Sequence, residues 1–157
     1  MKRIIPFLGV ALGLLAPMAA EAAKPLDLKF TAVDGSDVDL ADMRGKVVIV
    51  FFWATYSKES RDEVKTIVKV RKKYKDKGLE VVGVSEDSDQ NTMTTYTDEY
   101  AMNWPEYFSA QGPNNPAVQG MHLKGLPAVW VVGKDGVVIA ENPGDLDGAV
   151  AKALAEK

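Results

Sequence analysis

The stretch Lys46-Val47-Val48-Ile49-Val50-Phe51-Phe52-Trp53-Ala54-Thr55-Tyr56-Ser57-Lys58-Glu59-Ser60-Arg61 decides the fold. Seven apolar residues, Val47 to Trp53, follow one another without a polar break and are rich in β-branched and aromatic side chains. A strand wetted on one face would alternate, so this one reads as buried on both faces, at the centre of an α/β sheet. Ala54-Thr55-Tyr56 interrupts the run and a long helix follows. Val64, Ile67, Val68 and Arg71 mark one helical face, extended by Tyr74, while Asp62, Lys65, Lys69, Lys72 and Lys73 form the outer face. Lys75 and Lys77 suit a helix C-terminus, and Gly78 suits the left-handed residue that ends it. Leu79-Glu80-Val81-Val82-Gly83-Val84 is a second buried strand, which completes a βαβ unit.

Working outward, Leu26-Asp27-Leu28-Lys29-Phe30 alternates like a strand, Asp34-Gly35 is a turn, and Val38 and Leu40 read as a returning strand. Residues 40–44 fit one helical turn ended by Gly45. On the other side, residues 85–90 form a polar, acidic loop before a second helix with Met93, Tyr96 and Tyr100 or Ala101 inward. Residues 104–108 read as a short extended piece, residues 111–116 as a loop dense in Gly, Pro and Asn, and residues 117–123 as a turn of helix. Ala128-Val129-Trp130-Val131-Val132 is a strand, Lys134-Asp135-Gly136 a hairpin turn, and residues 137–140 the returning strand. Leu146, Val150 and Leu154 face inward on a closing helix. The order predicts one α/β domain, residues 23–157, with a central mixed sheet flanked by helices on both faces.

The 157 residues carry a formal charge of −3, one histidine (His122) and no cysteine. There is no basic excess to meet nucleic acid, and no set of soft ligands for zinc or an iron–sulfur cluster; no cofactor is expected. Residues 1–22 read as a secretory signal: Lys2 and Arg3, then an apolar run closed by Pro17, then Ala20-Glu21-Ala22 as a small-x-small cleavage site. The apolar run is short for a span, so membrane contact is expected only if the signal stays uncleaved. Cleavage would remove Lys2, Arg3 and Glu21 and leave a charge of −4 in an exported, periplasmic or extracytoplasmic, domain. Export leads to compartments where disulfides are common, so a chain without cysteine must rely on packing alone.

From Phe51 to Arg61 the chain resembles the exported thioredoxin-like thiol–disulfide oxidoreductases of the TlpA/ResA type. In that family a strand ending Phe-Trp-Ala-Thr is followed by Trp-Cys-x-x-Cys-Arg at a helix start. Residues 40–46 (Leu-x-x-x-Arg-Gly-Lys) also match, and so does Gly125-Leu126-Pro127, where the family keeps a cis-proline facing its cysteines. The likeness covers nearly all of residues 26–154 and implies a thioredoxin-like fold. The departures are specific: Ser57 and Ser60 occupy the two cysteine positions, Tyr56 replaces the usual tryptophan, and Lys58-Glu59 fills the middle of the motif. The alternative function, a thiol–disulfide oxidoreductase, holds only if Ser57 and Ser60 replace native cysteines.

Thiol–disulfide exchange begins with a thiolate that attacks a disulfide sulfur. A helix N-terminus favours an anion by only about 0.3–2 kcal/mol, far too little to turn a serine hydroxyl into an equivalent. Acyl transfer from Ser57 would need an adjacent oriented base, and the single histidine offers no triad. Ser57 is therefore read as a helix N-cap, and Ser60-Arg61-Asp62-Glu63 as a capping box one turn later. Glu63 stands where the resemblance places a carboxylate that tunes thiol acidity; here it is read as a capping or surface residue. Asp87, Asp89, Asp98 and Glu99 lack the glycine and terminal glutamate of a calcium loop and read as a solvated loop with a helix N-cap. What the resemblance leaves is a groove beside the proline turn, formed by Trp53, Tyr56, Ser57, Leu126 and Pro127, where Leu126 would pair its backbone with an extended peptide or protein partner. The alternative is that Pro127 serves only the turn. Residues 111–116 are a second candidate surface.

Overall fold

The computed structural model describes residues 23–156; the signal-peptide reading of residues 1–22 lies outside them. The apolar run forms strand β3 (Val47–Trp53), and all seven of its residues are buried. It follows a small hairpin of β1 (Lys29–Thr31) and β2 (Asp37–Asp39), and a 3-10 turn at Leu40–Met43 that Gly45 ends with φ +86°. Helix α1 (Lys58–Tyr74) carries the chain across to β4 (Leu79–Ser85), with Gly78 in the left-handed region at φ +97° where the chain turns back. Helix α2 (Gln90–Glu99) and the two-residue strand β5 (Glu106–Tyr107) follow. Strands β6 (Ala128–Val132) and β7 (Val138–Glu141) make the late hairpin, and α3 (Leu146–Ala155) closes the domain.

The five-stranded sheet has the order β5-β4-β3-β6-β7. β3 runs parallel to β4, from Val47 opposite Leu79 to Trp53 opposite Ser85, and antiparallel to β6, with Phe52 opposite Ala128. β5 is parallel to β4, and β7 antiparallel to β6. The sheet is mixed, as expected, and separates two cores by the alternation of β3. Val47, Ile49, Phe51 and Trp53 face Val64, Ile67 and Val70 of α1, Met93 of α2, and Val150 of α3. Val48, Val50 and Phe52 face Phe30, Val38, Leu40 and Val118.

All three α-helices thus pack on one face, where helices on both faces were expected. The reason is topological. The steps from β3 to β4 and from β4 to β5 move the same way across the sheet, and right-handed crossovers then place both connecting helices on the same side. The opposite face is closed by the β1–β2 hairpin, the 3-10 turn and the segment around Val118. Residues 117–123 form turns without a helix, because Gly120 (φ +85°) and His122 (φ +51°) adopt left-handed backbone. The one helical piece in that region is a 3-10 turn at Gly112–Asn114. Among the described residues no helix is long and apolar enough to cross a membrane.

One glycine is fixed by close approach. A Cβ at Gly83 would overlap the carboxylate of Glu106, which lies buried beside it across the β4–β5 pairing. Gly83→Ala should lower stability by about 1–3 kcal/mol, the usual cost of overpacking. In a Glu106→Ala background the same substitution should cost little, and the difference is read from thermal melts of the four proteins.

Candidate functional site

The C-terminal ends of β3 and β4, the start of α1 and the start of β6 meet at one edge of the molecule. Trp53, the last residue of β3, is 0% exposed and so forms the floor beneath this edge; it is not a wall of the surface groove in which the resemblance places it. It stacks on Phe51 at 6.0 Å and leans on Tyr96 at 5.7 Å, which shows why: α1 and α2 cover this face of the sheet. Its indole Nε1 donates to Oε2 of Glu106 at 3.0 Å, and Trp104 Nε1 donates to Oε1 at 2.7 Å. Burial pushes the Glu106 carboxyl up to about 8, an effect the two indole donors only partly offset.

The loop after Trp53 is held by an aspartate that reads as solvated in the sequence and is buried in the fold. Asp87 is 4% exposed. It accepts from Thr55 N at 3.0 and 3.1 Å, from Thr55 Oγ1 at 2.6 Å and from Ser85 Oγ at 2.8 Å. Arg61 donates to the Thr55 carbonyl at 2.6 Å, and Glu86 N donates to the Trp53 carbonyl at 2.8 Å. Asn115 ties residues 111–116 to the same edge, donating from Nδ2 to the Ser85 carbonyl at 3.1 Å while accepting from Ala117 N at 2.9 Å. Asp89 is the exposed N-cap of α2, accepting from Thr92 N at 2.7 Å, and Asp98 and Glu99 are exposed on that helix.

Ser57 caps α1 as its position predicts: its backbone is extended (φ −83°, ψ 118°) and its Oγ accepts from Ser60 N at 3.1 Å. The second capping box does not form. Ser60 lies inside the first turn, fully buried, and its Oγ turns back to accept from Ala54 N at 3.4 Å. The two serines are therefore unlike: one hydroxyl is partly exposed and serves as a cap, the other is sealed in the core. Ser57 Oγ in turn donates to Oε2 of the exposed Glu59 at 3.5 Å, a long bond to a solvated carboxylate that no third group among the described residues orients, so no triad forms. Tyr56, between the loop and the helix, is 63% exposed. Its phenol pKa is raised by partial burial and then by the charges of Glu86 and Asp87.

The Leu126–Pro127 peptide bond is cis. Because Ala128 pairs with Phe52, this turn leaves the sheet at the end where residues 54–57 also leave it. Among the described residues no hydrogen bond engages the Leu126 N–H or carbonyl, and its side chain is half-buried. Pro127 lines a cavity of about 160 Å³ with Glu63, Val129, Asn142, Pro143 and Leu146. Glu63 is thus half-buried against the proline turn and not a cap, and burial raises its carboxyl pKa. Leu126 lines a second cavity, of about 340 Å³, with Glu86, Pro113, Val118, Gly120, His122, Leu123 and Gly125. His122 itself is exposed. Among the described residues no group of three or more His, Cys, Asp or Glu side chains is placed to hold a metal ion.

A mixed sheet with its helix N-terminus and cis-proline turn at one end defines a thioredoxin-fold domain, and known structures agree. A thiol:disulfide interchange protein of the thioredoxin family from Chlorobium tepidum superposes with a TM-score of 0.73 at 25% identity, covering 87% of this chain and 99% of that one. The thioredoxin domain of a thiol-disulfide oxidoreductase from Bacteroides vulgatus gives 0.72 at 25% identity, covering 82% and 93%. The AhpC/TSA family model matches residues 20–141, and the chain belongs to that family. It is 27% identical over 115 residues to the thiol-disulfide oxidoreductase ResA of Bacillus thuringiensis, a match that takes in 73% of this chain and 65% of the length of that relative. It is 27% identical over 121 residues to the thioredoxin-like protein YneN of Bacillus subtilis, covering 75% of this chain and 68% of the relative.

Proposed function

We propose that this chain is an exported, non-catalytic thioredoxin-fold module that binds an extended peptide or a protein partner in the groove between Tyr56–Ser57 and the Leu126–Pro127 turn. The observation that carries the reading is the combination of hydroxyls at both positions that the family resemblance assigns to the redox pair with a helix start and proline turn kept in place around them. Without a single cysteine in the chain, no thiolate attack and no mixed disulfide can occur. The groove needs neither. Among the described residues nothing engages the Leu126 N–H or carbonyl, which leaves both able to serve strand addition, and Tyr56 offers an exposed aromatic face of the kind that anchors protein contacts. Export rests on the reading of residues 1–22 and places the module in the periplasm or another extracytoplasmic space.

Two measurements test this together. Reduction of insulin by dithiothreitol should run no faster with the protein than without it; turnover above that background would exclude the non-catalytic reading. The mature protein, immobilised and exposed to a periplasmic extract, should retain a partner that Tyr56→Ala or a Leu126 replacement releases; retention insensitive to both would exclude the groove. Installing cysteine at positions 57 and 60 gives a companion result: gained insulin reduction would mark the groove geometry as competent for a disulfide substrate.

A further inference from the structure

The larger cavity beside Leu126 contains a feature that a plain backbone groove does not need. Glu86 follows β4 directly, and its own N–H is committed to the Trp53 carbonyl, so its position is fixed by the sheet. Its side chain is only 9% exposed, yet among the described residues no hydrogen bond or ion pair engages its carboxylate. No enclosed side-chain oxygen among those residues lacks a partner, so the Glu86 carboxylate reaches water, and Glu86 lines the cavity. The rest of the wall is Pro113, Val118, Leu123 and Leu126, two glycines, and the imidazole-bearing His122, with no lysine or arginine among them. A mostly buried carboxylate without a cation is costly, and burial raises its pKa accordingly. A cation entering from the groove would remove that cost.

The surroundings of the cavity favour the same occupant. Leu126 lies on one side, with its backbone free to pair with an extended segment. Tyr56 lies within electrostatic reach of Glu86 and presents a largely exposed ring, over which an ammonium or guanidinium group can rest. The methylene stem of such a side chain suits the apolar wall, and the charged head suits the carboxylate. The volume of about 340 Å³ holds one long side chain with room for water.

We propose that the Glu86 cavity is a specificity pocket for a lysine or arginine side chain carried by the extended segment that pairs with Leu126. This rests on the groove reading above and narrows it from any extended peptide to one with a basic residue beside the pairing position. Neutral apolar residues of the same length would fill the cavity without meeting the charge, and acidic residues would be repelled.

The test uses three fluorescein-labelled six-residue peptides that differ only at one central position, holding lysine, norleucine or glutamate, with binding to residues 23–157 followed by fluorescence anisotropy. The lysine peptide should bind about tenfold more tightly than the norleucine peptide, as one charge-assisted contact implies, and the glutamate peptide more weakly than both. Glu86→Gln should bring the lysine and norleucine peptides to equal affinity. Because the side chains are nearly isosteric, its melting profile will show that the fold is kept. Equal affinity of lysine and norleucine peptides for the unaltered protein, or discrimination that survives Glu86→Gln, overturns the pocket while leaving the groove intact. Binding of none of the three, or binding untouched by Tyr56→Ala, overturns the groove itself and the pocket with it. N-acetyl-lysine amide at millimolar concentration supplies the last arm: if it binds as tightly as the lysine peptide, the cavity takes a free cation and not a residue presented by a paired segment.

Discussion

Raising the pH from 5 to 9 should lower the unfolding free energy of the domain by roughly 4 kcal/mol, and Glu106→Gln should remove most of that slope. The cause is the carboxyl wedged between Trp53, Trp104 and Gly83. It is 6% exposed, and its pKa rises from an ordinary 4.5 to about 8 because the charged form loses water and regains only two indole hydrogen bonds. Between those two values the folded chain holds a proton that the unfolded chain has released, so stability falls as pH rises through the window. The carboxylates with lowered pKa, Asp39 and Asp89 among them, act in the opposite sense and at lower pH. They add stability as pH rises toward 4 and are spent before Glu106 begins to titrate. Glutamine keeps an acceptor for one indole but turns an amide N–H₂ toward the other, a loss of about 1 kcal/mol at pH 5. Urea unfolding at pH 5, 7 and 9 distinguishes the outcomes: a flat profile for the unaltered protein, or an equal slope in Glu106→Gln, would contradict the assignment.

Asp87→Ala should cost about 3 kcal/mol of stability and detach the loop that presents Tyr56. The magnitude follows from what the carboxylate satisfies: the Thr55 N–H and hydroxyl and the Ser85 hydroxyl, all in or near the buried edge of the sheet. Each buried donor stripped of its acceptor costs about 1–3 kcal/mol, reduced where water can enter. Asp87→Asn keeps one carbonyl oxygen and should fall between the two. Chemical denaturation gives the stability, and the anisotropy of the lysine peptide gives the loop. A protein that melts normally but no longer binds would show the loop moved without the core yielding; one that loses neither would show that Asp87 is not the anchor.

The features legible in the sequence are those fixed by local pattern. β3 is announced by seven consecutive apolar residues, and the cap at Ser57 by a hydroxyl placed before a helical stripe. The hairpin at Lys134-Asp135-Gly136 is announced by its turn residues. The features hidden from it depend on residues far apart in the chain. Glu106 sits in a short, Pro-flanked extended piece with nothing to mark it as buried, since its partner Trp53 lies 53 positions earlier. Asp87 has the composition of a solvated loop, and only the return of Thr55 beside it buries the carboxylate. Ser57 and Ser60 look equivalent as replacements, yet the cap position stays partly open while the helical one faces the core. Trp53 reads as a groove residue for a related reason: alternation with Phe51 turns it onto the sheet face that α1, α2 and α3 share, and the sequence does not disclose that sharing.

The contrast between the two serines also bears on how this lineage can change. Ser57→Cys would weaken one N-cap, at about 1 kcal/mol. Ser60→Cys would exchange a sealed hydroxyl for a thiol, a group that tolerates burial well. Against the 5–15 kcal/mol by which a domain is ordinarily stable, neither step is a barrier, and neither depends on the other. Presence or absence of sulfur at this helix start is therefore open to drift in both directions, one codon at a time, without the fold acting as a ratchet.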